Sequence, residues 1–194
     1  MELCEMTMPF IAFLKYPRSG IPVLPWEHWV AMGLVSLVVA LIAARRNKFP
    51  VLGSIALGCT IMVGLFLLDA LVLHRIGVQI EQHPELNISA EYHRLFHGNA
   101  EHRLAMLLNV LIFIPFGLCL SAFLSAAKRY KGWRNIGLVA LIAFLFSLCL
   151  ESLQWILRVG LFELTDMALN TAGGVIGAAF ALGVWALAAC FKKK

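Results

Sequence analysis

Apolar residues fall into five long runs, at 28–44, 49–73, 104–126, 136–157 and 167–190. Each is near the ~20 residues that cross ~30 Å of hydrocarbon, and the first is the shortest. Backbone groups in lipid must pair within their own segment, so runs of this kind are helices. The pattern predicts an all-α fold: a polytopic membrane helical bundle of about five transmembrane helices. Two helices occupy 28–73 and three occupy 104–190. The one long connection, 74–103, has mixed charge and contains Pro84. Residues 1–27 lack the basic start of a signal peptide, since Glu2 and Glu5 stand there. The prolines at 17–25 exclude a long helix, so this stretch reads as an interfacial segment with Trp26 and Trp29 at headgroup level.

Composition strengthens that picture. Of 194 residues, 61% are apolar and 14% charged, against about 45–50% and about 25% in soluble domains. Disorder, a secreted disulfide scaffold and a soluble globular enzyme are excluded. The net charge of +5 does not point to nucleic acid, because the basic residues sit beside apolar runs. Ten of the sixteen Lys and Arg lie on one side, at 45–48, 128–134 and the 192–194 tail; six lie on the other. Basic residues in short loops and tails favour the cytoplasm. The expected topology in a bacterial cytoplasmic membrane is N-terminus outside, 74–103 extracytoplasmic and the basic tail at 191–194 inside. The five cysteines are scattered, without a CxxC or Cys/His cluster, and read as small apolar residues.

The informative positions are polar ones inside the runs. An ionisable group at the centre of a membrane helix costs roughly 2.5–3.5 kcal/mol on insertion scales, which makes it a functional-site hypothesis. Asp69, Asn109, Glu151, Gln154 and Asn170 are such positions, with Arg158 and Asp166 flanking the last loop. At 1.5 Å per residue all lie within roughly 10 Å of the outer boundary, forming one layer. Glu151, Gln154 and Arg158 follow i, i+3, i+7, a single helical stripe; Asp166 and Asn170 form another. Below Asn170, Gly173, Gly177 and Ala181 make a small-xxx-small ladder that lets helix backbones approach closely. Pro115 frees a carbonyl in the third run, and Gly117 leaves room for a bend or a close neighbour.

Three ordered motifs resemble the VanZ-like family of bacterial membrane proteins. They are Asn109-x-x-x-Phe113-x-Pro115-x-Gly117, then Glu151-x-x-Gln154 with Arg158, then Asp166-x-x-x-Asn170-Thr171-x-Gly173 with Gly177. The resemblance covers roughly 103–178 and makes 104–190 a VanZ-like three-helix core. It implies a multi-pass protein of the cell envelope. The family's founding member is associated with low-level resistance to teicoplanin, a glycopeptide antibiotic that binds cell-wall precursors outside the membrane.

Two classes of function fit these residues. In the first, a binding or protective protein holds a lipid-linked cell-wall precursor, another anionic envelope molecule or a glycopeptide antibiotic among membrane lipids. Arg158 would meet phosphate or carboxylate through its planar fork. Glu151, Gln154, Asp166, Asn170 and Asn109 would orient amide, amine or sugar groups, while Phe113, Pro115, Gly117, Gly173 and Gly177 shape the helices. In the second, an intramembrane enzyme uses Glu151 or Asp166 as acid or base on a lipid-linked envelope substrate. The absence of a Ser-His-Asp or Cys-His pattern ranks the enzyme second, so no catalytic residue and no cofactor is expected. An ion-paired helix anchor is the bland alternative for Glu151, Gln154 and Arg158. His93, His97 and Glu101 could share one face and hold zinc. Gly98 weakens such a helix and HExxH is missing, so a hydrated surface helix is the expectation there and no metal site is assigned.

Overall fold

The computed structural model describes residues 26–45, 51–76, 84, 93, 97, 100–127 and 132–191. The interfacial segment, apart from its last residues, most of the 74–103 connection and the 192–194 tail lie outside the described residues. Among the described residues there are five long helices: α1 (Trp26–Arg45), α2 (Val51–Leu71), α3 (Ala100–Ala126), α4 (Trp133–Leu157) and α5 (Leu164–Phe191). A 3-10 turn, Leu73–Arg75, follows α2. The all-helical bundle matches the expectation from hydropathy. Among the described residues, four helices are long and apolar enough to cross a membrane, through Val51–Leu71, Arg103–Ala126, Trp133–Leu157 and Leu164–Leu187. In α1 the apolar stretch is the shorter Val30–Ala43.

Glycine fixes the centre of the bundle. A Cβ on Gly173 would collide with the Val110 carbonyl oxygen, one on Gly177 with the Ile114 carbonyl oxygen, and one on Gly117 with the Gly174 carbonyl. The α3 and α5 backbones therefore lie against each other without side chains between them. Residue numbers rise together along the seam, so the two helices run parallel. The ladder read from sequence is this seam, extended by buried Ala178 and Ala181. The Ala178 carbonyl accepts a bond from the Ser121 hydroxyl at 3.4 Å.

Helix α4 runs antiparallel to both. Its Ala143 Cβ would be 2.8 Å from a Cβ on Gly174. Pro115 is exposed on α3, facing away from the seam, and the helix continues through it to Ala126. Phe113 and Phe116 on α3 and Phe146 on α4 form a cluster, with Phe116 and Phe146 stacked at 5.2 Å. Gly64 of α2 admits those rings. With fully buried Leu67, Val139 and Ala143, and Leu150 beside them, the cluster makes the dry middle of the molecule. Helix α1 packs on α2, where Gly58 accommodates the Ser36 carbonyl and Ala40. Leu34, Leu37, Val38 and Leu41 of α1 remain exposed, as suits side chains facing lipid.

Candidate functional site

The end of the bundle where α2 stops and α5 begins carries the charge. Glu151 and Gln154 occupy the last turns of α4, and both are buried, at 3% and 5% exposure. The Glu151 carboxylate accepts the Glu163 backbone N–H at 3.1 Å. Gln154 donates from Nε2 to the Leu71 carbonyl at 3.0 Å, tying the end of α2 to α4. Its side chain also supports Gly160, where an added Cβ would stand 3.0–3.2 Å from Gln154 atoms. The 158–163 loop is thus folded over the helix ends as a roof.

Helices α4 and α5 meet through a polar contact near this end. Asn170 of α5 donates from Nδ2 to the Ser147 hydroxyl of α4 at 2.8 Å, one turn below Glu151. The Asn170 side-chain oxygen is buried without a hydrogen-bond partner. One turn above Asn170, Asp166 lies in the first turn of α5, where an acidic group suits the positive end of the helix dipole.

Arg158 is the exception. The helix ends at Leu157, and Arg158 takes the left-handed conformation, φ 56°. Its N–H bonds the Trp155 carbonyl at 3.2 Å and the Val159 N–H bonds the Gln154 carbonyl at 3.0 Å. This pair of bonds is a Schellman closure, which turns the chain away from the helix axis. The i+7 position in the stripe therefore does not exist, and the Arg158 side chain is exposed.

Among the described residues, the cation whose charge reaches this end is Arg75. It follows α2 in the 3-10 turn, half-buried, and its charge acts on Asp166, Glu151 and Glu163. Burial pushes the guanidinium below its ordinary range, while the three carboxylates oppose that shift. By charge counting alone, Arg75 is one of the six basic residues on the outer side. Its available signal was position: it stands just beyond the end of α2, level with the polar layer.

The other predicted residues divide. Phe113, Gly117, Gly173 and Gly177 belong to the seam and core, not to the charged end. Asn109 is half-buried on α3 and its side chain makes no hydrogen bond among the described residues. Asp69 is buried near the end of α2. No group of three or more His, Cys, Asp or Glu able to hold a metal occurs among the described residues. Beside the roof, Pro84, Ser152, Trp155, Ile156 and Phe162 line an apolar groove of about 400 Å³. It lies at the same end of the bundle as the charged cluster, and Ser152, Trp155 and Phe162 are next in sequence to Glu151, Gln154 and Glu163.

One polar network was not anticipated. At the opposite end of α4, fully buried Asn135 donates to the Ser121 carbonyl at 3.1 Å and the Ser125 hydroxyl at 2.9 Å. Its partners are a helix carbonyl and a serine, and it clamps α4 to α3.

A membrane bundle with a dry, glycine-packed centre and charge gathered at one end is the class that this fold and site define. Within that class, the family model described as VanZ/LLP1 matches residues 55–187. The chain belongs to the VanZ/LLP1 family. It is similar to a protein named Protein VanZ from Enterococcus faecium, 38% identical over 74 residues. That match spans 37% of this chain and 40% of the relative. No solved structure matches.

Proposed function

We propose that this protein binds an envelope molecule at the charged end of its bundle and protects the cell against glycopeptides of the teicoplanin type. The cluster of Arg75 with Glu151, Glu163 and Asp166 carries this reading. Four ionisable side chains act on one another electrostatically at this end of a mostly apolar bundle, whereas interhelical polar contacts in membranes average only ~0.6 kcal/mol. Stability alone is a poor reason to keep so much charge there. The apolar groove beside the cluster suits a lipid chain, and the cluster suits a polar headgroup. A lipid-linked cell-wall precursor has both parts. In this reading the charged end faces outward from the bacterial cytoplasmic membrane.

The test is teicoplanin susceptibility in a sensitive host expressing the wild type or Glu151→Gln. The substitution keeps length and most hydrogen-bonding capacity but removes the charge. The expected result is full accumulation with loss of protection. Full accumulation with full protection would sink the proposal. Failure to accumulate would instead make Glu151 an anchor for the roof loop. Turnover of a lipid-linked precursor by the purified protein would move the assignment to an intramembrane enzyme.

A further inference from the structure

The connection between α2 and α3 holds a feature that the charged cluster does not use. His93 and His97 are both helical, four residues apart and exposed. Their ring centroids lie 4.4 Å apart, with the planes tilted by 36°. Side chains at i and i+4 are neighbours on any helix, but neighbouring rings are free to point apart. Here they converge.

The distance has a chemical meaning. An imidazole nitrogen binds zinc at about 2.0–2.1 Å, which puts the ring centroid roughly 3.2 Å from the metal. Two rings at angles between square and tetrahedral then stand roughly 4.5–5.2 Å apart, by the same bond length. The observed 4.4 Å is slightly shorter than that window, so a small opening of the pair brings both rings onto one ion. Imidazole suits zinc, copper and nickel, whereas magnesium and calcium take oxygen donors. Exposure leaves the remaining coordination positions open to water or to another donor.

We propose that His93 and His97 form a two-histidine chelating site for a divalent transition-metal ion. It differs from the zinc site weighed from sequence, because two imidazoles four positions apart suffice and Glu101 is not required. The proposal uses no residue of the Arg75 cluster.

The experiment uses the full chain in detergent micelles, purified through a tag without histidine. Zn²⁺ binding is followed by calorimetry, and Cu²⁺ binding by electron paramagnetic resonance. The expected result is one ion per chain, with nitrogen hyperfine structure from two imidazoles. His93→Gln and His97→Gln should each weaken binding at least tenfold, and His102→Gln should leave it unchanged. Both tested side chains are exposed, so the variants should fold, which retention of the wild-type helical circular dichroism would verify. Undiminished Zn²⁺ binding by the His93→Gln/His97→Gln double variant would overturn the proposal, as would no binding by the wild type. A spectrum showing a single nitrogen ligand would overturn it too.

Discussion

Arg158 and Arg75 differ in what surrounds them, although both flank the same layer of carboxylates. A left-handed conformation costs a residue with a Cβ roughly 1–2 kcal/mol, and glycine avoids most of that. Glycine gives back about 0.5–1 kcal/mol through its freer unfolded chain. Arg158→Gly should therefore raise stability by about 0.5–1 kcal/mol, read as a higher unfolding temperature in micelles. It should also keep teicoplanin protection, because the exposed side chain lies outside the cluster. Arg75→Gln should abolish protection, since three carboxylates lose their shared cation. Loss of protection in Arg158→Gly with wild-type accumulation would return the site's cation to position 158. Periodicity is informative for Glu151, Gln154, Asp166 and Asn170 because each sits on a continuous helix, where spacing fixes direction. It failed at Arg158 because a stripe ends where a helix ends. It passed over Arg75 because a charge in a turn has no periodicity to reveal its direction.

At the scale of the helices, the seam between α3 and α5 was legible from the small residues of α5, but its partner was not. A small-xxx-small pattern says that something approaches closely; it does not say which helix. The structure assigns Val110, Ile114 and Gly117 to the other side. Overpacking a well-packed core costs about 1–3 kcal/mol, and here the obstruction is backbone rather than a side chain that can turn aside. Gly177→Ala should destabilise the bundle by the upper part of that range, measured by unfolding in micelles. Gly183→Ala is the control, because a Cβ there meets open space. Equal stability of the two variants would show that α3 and α5 are not in backbone contact. The Asn135 clamp escaped sequence reading for another reason. Asparagine and serine near a loop look like ordinary end residues until the fold buries them.

For the whole molecule, length and apolarity made the helices legible, and charge supplies an orientation. Ten Lys and Arg against six favour placing the Gly132 end in the cytoplasm and the charged end outside. A cysteine introduced at Pro84 of a chain otherwise free of cysteine should react with a membrane-impermeant maleimide in intact cells. Reaction only after permeabilisation would reverse the topology, and an outward-facing site would have to be given up. The boundaries shifted where hydropathy is a poor guide. Helix α3 begins at Ala100, because Glu101, His102 and Arg103 continue a helix that has left its apolar stretch.

The parallel course of α3 and α5 also bears on how the chain is made. Two parallel helices cannot be joined by a short turn, so α4 must cross back between them. The seam joins residues such as Ser121 and Ala178, 57 positions apart. During synthesis α3 is complete well before its partner exists, with the Gly117 face uncovered among lipids or against transient neighbours. Closure waits for α5. The helix that emerges last among the described ones is therefore the one that completes the core, seats Asp166 beside Glu151 and pulls the roof loop into place.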